Sequence, residues 1–146
     1  ALSTRFDELP LLVKAVGVVT KGIEAKTVLH TCYGNYNEIF EYFNKLPVDQ
    51  IDLEMSNSGL DLLDRFKREP LKKEIAFGVV DVHSHVIEPE ALIRERIEKA
   101  LTIFPPSKLF IDPDCGLKTR SVEEAQAKLR NMVAAARATR QAHGWT

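Results

Sequence analysis

Ile75-Ala76-Phe77-Gly78-Val79-Val80-Asp81-Val82 is apolar almost without interruption. A strand that reads this way is covered on both faces, as a parallel strand beneath helices is, whereas an antiparallel strand usually keeps one wet face. Three other runs share its character: Ala25-Lys26-Thr27-Val28-Leu29-His30, Gln50-Ile51-Asp52-Leu53-Glu54-Met55 and Leu109-Phe110-Ile111, the last ended by Pro113. The four runs begin near Thr27, Ile51, Ala76 and Leu109, at intervals of 24, 25 and 33 residues. Each interval has room for one crossover helix, and the repetition predicts a parallel sheet built from βα units.

The intervening segments carry the helical period. Asp7 to about Lys21 places Leu11, Leu12, Ala15, Val16 and Val19 on one face, with Gly22 as a stop. Asn35 to Leu46 buries Ile39, Phe40, Phe43 and Leu46 before Pro47 ends it. Asn57 or Ser58 caps a third helix with the stripe Leu60, Leu62, Leu63 and Phe66. Pro89 opens a fourth that runs through Ile93, Ile97, Leu101 and Phe104 to Pro105-Pro106. Ser121 with Glu124 forms a capping-box signature for a last helix to about Arg140. Two architectures fit this alternation: a small doubly wound sheet, or consecutive units of a (β/α)8 TIM barrel. In both, ligands bind where the strands end.

Composition narrows the function. The chain has 146 residues, 45% hydrophobic and 28% charged, enough for one core, and no linker, repeat or low-complexity run divides it. Its 20 basic and 21 acidic side chains nearly cancel, which argues against a nucleic-acid partner held by a large positive field. No apolar run approaches the ~20 residues of a membrane span, and Arg5, Asp7 and Glu8 are unlike a secretory leader. Two cysteines cannot form a disulfide scaffold, and a reducing cytoplasmic setting is expected.

The chemistry-bearing residues gather at the strand ends: His30-Thr31-Cys32, then Glu54, then Asp81-Val82-His83-Ser84-His85, then Asp112-Pro113-Asp114-Cys115-Gly116. Both cysteines and three of the four histidines fall there. An imidazole, a carboxylate and two thiolates from separate elements would make four tetrahedral ligands, a donor set that suits Zn²⁺. Taken singly, each has a plainer reading: a cysteine as a small buried hydrophobe, Glu54 as an ion-paired carboxylate, and His83 and His85 as loop side chains hydrogen-bonded to carbonyls. Asp81-x-His83-x-His85 also resembles the metal-binding opening of the amidohydrolases. Those enzymes need further histidines and an aspartate from later strands, and only His143 remains downstream.

His30-Thr31-Cys32-Tyr33, Ile51-Asp52-Leu53-Glu54, Val80-Asp81-Val82-His83-Ser84 and Asp112-Pro113-Asp114-Cys115-Gly116-Leu117-Lys118-Thr119-Arg120, with the ending Leu129-Arg130-Asn131-Met132-Val133-Ala134-Ala135-Ala136-Arg137, resemble the catalytic barrel of the cobalamin-independent methionine synthases. The resemblance covers essentially the whole chain. It implies that His30, Cys32, Glu54 and Cys115 bind one catalytic Zn²⁺, that this ion takes the thiol of homocysteine, and that His83 donates a proton to the departing amine. It leaves two methyl donors open, methyltetrahydrofolate with a polyglutamate tail or a methylcorrinoid. Where better-known members have proline after His-Ser this chain has His85, to which only a contact behind the metal ligands could be given. The family's Ile-Asp-Glu-Pro-Ala-Leu segment, whose aspartate holds the amino-acid part of homocysteine, would lie upstream of Ala1. Residues 1–146 are therefore read as the C-terminal part of such a barrel, about half of it, since a whole one typically needs ~250 residues. Two open strand edges would then favour self-association or pairing with the other half of the barrel.

Overall fold

The structure, a computed structural model, describes residues 6–32, 36–57 and 60–145. A short 3-10 turn (Phe6–Glu8) leads into α1 (Leu9–Thr20), followed by β1 (Val28–Thr31), α2 (Tyr36–Phe43), β2 (Gln50–Leu53) and α3 (Leu60–Arg68). Then come β3 (Glu74–Val80), α4 (Glu90–Leu101), a second 3-10 turn (Pro106–Lys108), β4 (Leu109–Pro113) and α5 (Val122–Ala142). The strands form one parallel sheet in the order β1-β2-β3-β4. The order never reverses, so the sheet has no switch point of the doubly wound kind. Four successive βα units advancing in one direction form an arc of a (β/α)8 barrel.

The register separates the two faces. Leu29, Ile51, Ile75 and Leu109 lie in one row and Leu53, Phe77 and Ile111 in the next, and all join or pack against the core beneath the helices. The alternate rows, His30-Asp52-Ala76-Phe110 and Gly78-Asp112, point to the opposite face. Under the helices, Phe66 packs between Phe40 and Phe104 in tilted and edge-to-face arrangements at ring distances of 4.8 and 5.0 Å. Such pairs add about 0.5–1.5 kcal/mol each beyond area burial.

Most helix stripes match their sequence pattern. Ile39, Phe40, Phe43, Leu46, Leu62, Leu63, Phe66, Ile93, Ile97 and Phe104 are buried. The Ser121 hydroxyl accepts from the Glu124 amide while the Glu124 carboxylate accepts from the Ser121 amide, completing the capping box. Gly22 sits at φ +78° just beyond α1, a conformation that favours glycine.

The first unit departs from expectation. In α1 the inward face is Leu9, Leu12, Val13 and Val16, whereas Leu11 and Val19 are 63% and 74% exposed and Ala15 is exposed as well. A helix apolar over most of its circumference has no polar side to fix its rotation from sequence, so packing decided the face. The first strand begins at Val28 rather than Ala25, which places His30 inside the strand and Cys32 just past its end. The strands β2 and β3 stop at Leu53 and Val80, each two residues short of expectation, and leave Glu54 and Asp81 in the loops. The cap assigned to Ser58, the start of the second helix at Asn35 and the Leu60 side chain lie outside the described residues.

Candidate metal centre

Three strand ends converge on one point. His30 comes from β1, Cys32 from the residue after it, Glu54 from the residue after β2, and Cys115 from the loop after β4. One ligand atom from each lies within 4.8 Å of the other three. Donors around a tetrahedral zinc stand roughly 3.3 to 3.8 Å apart, given bonds of ~2.0 Å to nitrogen or oxygen and ~2.3 Å to sulfur. The cluster therefore needs only a small contraction to close on an ion, and its two sulfurs, one imidazole and one carboxylate suit zinc.

The surroundings prepare these donors. The Asp52 carboxylate receives the His30 Nδ1 hydrogen bond at 2.6 Å, which leaves Nε2 as the free ligand nitrogen. Burial pushes the Asp112 carboxyl up to about 8, helped by the facing Asp52 carboxylate. Burial also pushes the Cys32 thiol up, with Cys115 and Glu54 nearby adding to the effect. Acidic groups crowded in this way are stabilised by a cation, and binding one releases protons.

The third strand end supplies a separate arm. His83 Nε2 lies 3.8 Å from Glu54 Oε1, so its imidazole borders the cluster while its side chain is 44% exposed. Burial would raise the Asp81 carboxyl, but hydrogen bonds from Asn57 and from the His83 and Ser84 amides outweigh it and hold the group low. The loop is anchored from below by Lys128, which is fully buried. Its ammonium donates to the carbonyls of Asp81 (3.0 Å) and Val86 (2.5 Å) and to Glu88 Oε2 (2.7 Å). Glu88 in turn accepts from the Asp81 amide at 2.7 Å.

His85 stands apart. Its Nδ1 pairs with Glu124 at 2.8 Å, at the N-terminus of α5, so it is not a contact behind the metal ligands. The Asp81-x-His83-x-His85 pattern thus divides between two places, and the amidohydrolase-like arrangement is not formed. His143 pairs with Glu98 and stacks on Trp145 at the far end of α5.

The sequence reading assigned no supporting role to four residues: Asp52, Tyr36, Asp114 and Lys128. The strand period was the available signal for two of them, because Asp52 shares parity with Glu54, and Asp112 with Asp114. Lys128 gave a different signal, lying four residues before Met132 and seven before Ala135 on the stripe of α5 that packs inward.

Fold and site together define a β/α-barrel protein with a sulfur-rich donor cluster at its C-terminal face. The chain belongs to the cobalamin-independent synthase family, whose catalytic domain it matches over residues 9–138. It is 40% identical over 141 residues to a methionine synthase of Saccharolobus solfataricus, covering 97% of this chain and 42% of that one. With a methionine synthase of Pyrococcus furiosus it shares 42% identity over 134 residues, 92% of this chain and 39% of the other. Among solved structures it resembles a B12-independent methionine synthase from a Shewanella species in complex with selenomethionine. That match has a TM-score of 0.85 at 25% identity, covering 95% of this chain and 46% of that one. The chain thus spans about two fifths of the length of the curated relatives it matches.

Proposed function

We propose that the chain carries the metal-binding face of a zinc-dependent methyltransferase that converts homocysteine to methionine, a step of amino-acid biosynthesis in the cytoplasm. The observation that carries this reading is the meeting of four donors from three strand ends within 4.8 Å, inside a family catalytic domain. His30, Cys32, Glu54 and Cys115 would hold the ion. Bound zinc supplies positive charge that keeps a thiol, ordinarily protonated near neutral pH, as a nucleophilic thiolate.

The protein's own residues do the rest. Asp52 fixes the His30 ring with Nε2 toward the donors. His83, on the anchored loop, holds a proton at the border of the cluster and gives it to the nitrogen that loses its methyl group. An amine leaves poorly without that proton, and an imidazole is a side chain able to hold and give one. The methyl bond to nitrogen breaks as the bond to sulfur forms. A folate-type donor is the first to assay, and a methylcorrinoid is the other.

Metal analysis with ligand variants tests this. One tightly held zinc per chain is expected, lost in Cys115→Ser and in His30→Ala but retained in His83→Ala. Metal that survives the first two changes and disappears in the third contradicts the assignment. Homocysteine methylation should be assayed with folate and corrinoid donors in turn, and His83→Ala should slow turnover without releasing zinc.

A second reading concerns the chain as a unit. Strands β1 and β4 each have a free edge among the described residues. We read residues 1–146 as the C-terminal portion of the barrel, which folds or acts fully only when those edges pair with the other barrel half or a second copy. Sedimentation showing a well-behaved monomer with full activity would contradict it.

A further inference from the structure

The backbone between β2 and α3 is held by side chains from two other elements. Three consecutive amides, those of Glu54, Met55 and Ser56, each donate to a side chain outside their own segment. The Glu54 amide donates to the Tyr36 hydroxyl at 3.2 Å, and that hydroxyl donates to the Thr31 carbonyl at 2.8 Å. The Met55 and Ser56 amides donate to Asp114 Oδ1 at 3.1 and 3.0 Å, and the Ser56 hydroxyl donates to Asp114 Oδ2. The Asp114 amide closes the set by donating to the Val80 carbonyl at 2.9 Å.

The positions of these bonds matter more than their number. Thr31 lies between His30 and Cys32, and Asp114 immediately precedes Cys115. Tyr36 therefore ties the backbone of the first two donors to that of Glu54, and Asp114 ties Glu54's segment to that of the last donor. Both are almost completely shielded from water, with exposures of 8% and 2%. The second tie crosses above β3, and Gly78 makes the crossing possible. A Cβ on Gly78 would collide with the Asp114 carboxylate and would stand only 2.9 Å from Asp114 Cα and from the Leu53 carbonyl.

We propose that Tyr36 and Asp114 are positioning residues that set the spacing of the four donors before any ion arrives, with Gly78 providing the space for the second. The proposal rests on the zinc reading above, and it assigns the two residues no contact with metal or substrate. A donor set held ready loses little freedom on binding, so weakening a tie should appear as lost affinity and altered geometry.

The test is competition of Zn²⁺ against a chromophoric chelator, together with the visible spectrum of the Co²⁺-loaded chain. Asp114→Ala is expected to weaken zinc binding by about 10- to 100-fold and to change the Co²⁺ bands. Asp114→Asn, which keeps an oxygen for both amides, should stay within about threefold of wild type. Tyr36→Phe removes one hydroxyl, leaves the ring in place, and should weaken binding about fivefold. Circular dichroism of the metal-free proteins establishes folding, and if Asp114→Ala does not fold, Tyr36→Phe and Asp114→Asn decide. Wild-type affinity and an unchanged spectrum in folded Asp114→Ala, or in Tyr36→Phe if that variant alone remains, overturns the proposal. If wild type fails to hold the metal, or Cys115→Ser holds it as tightly as wild type, the zinc reading itself falls, and the positioning roles fall with it.

Discussion

The two faces of this sheet obey different rules. Beneath the helices, alternate residues of the strands are almost all apolar and join or pack against the core, from Leu29 and Ile51 to Phe77 and Ile111. The opposite face, which in a typical barrel is filled by bulky branched side chains, here carries His30, Asp52, Ala76, Gly78, Phe110 and Asp112. One face contributes stability through burial. The other accepts a cost in half-buried carboxylates and small residues and places its donors at the strand ends. Substitutions on one face should therefore leave the other largely untouched.

The sharpest way to break that division is Phe66→Ala, which removes the ring at the centre of the aromatic cluster. A loss of about 3–5 kcal/mol is expected in urea unfolding, with zinc affinity unchanged in the protein that remains folded. Lys128→Ala should cost about 3 kcal/mol, because it leaves Glu88 buried without its ammonium partner. Unlike the first change it should reach the site, by loosening the 81–88 loop. Faster hydrogen exchange at the Asp81 and His83 amides would show this, and unchanged exchange would argue that the ion pair serves stability alone.

A pH effect tests the polar face by itself. The folded Asp112 carboxyl keeps its proton to about 8, while an unfolded aspartate loses it near ~4. The folded state thus binds more protons across that window, and the metal-free chain should lose stability as pH rises through it. Asp112→Asn should flatten the profile, and an unchanged slope in that variant would remove Asp112 as its source. The smallest effect is expected far from both regions. Ser121→Ala removes one hydrogen bond of the capping box and should cost about 1 kcal/mol, with no change in metal binding.

Much of this was legible in the sequence because the relevant signals are local. The apolar run at 75–82, the stripe Ile39-Phe40-Phe43 and the pairing of Ser121 with Glu124 each depend on neighbours a few residues away. The face that carries the donors was legible for a related reason: in parallel βα units every strand ends on the same side, while the choice of His30, Cys32, Glu54 and Cys115 among the residues there came from the family resemblance. What stayed hidden depends on distances the chain does not encode locally. Asp114 reaches Ser56 across 58 residues, and Lys128 reaches Glu88 across 40. The rotation of α1 was hidden for the opposite reason, since too many of its positions are apolar to mark one side.

X-ray absorption at the zinc edge of the metal-loaded chain tests the central claim most directly. Two sulfur ligands at ~2.3 Å and two nitrogen or oxygen ligands at ~2.0–2.1 Å are expected, with one sulfur lost in whatever zinc Cys115→Ser takes up under excess metal. A shell of nitrogen and oxygen alone, or one that keeps both sulfurs in that variant, would contradict the assignment of Cys32 and Cys115 to the metal.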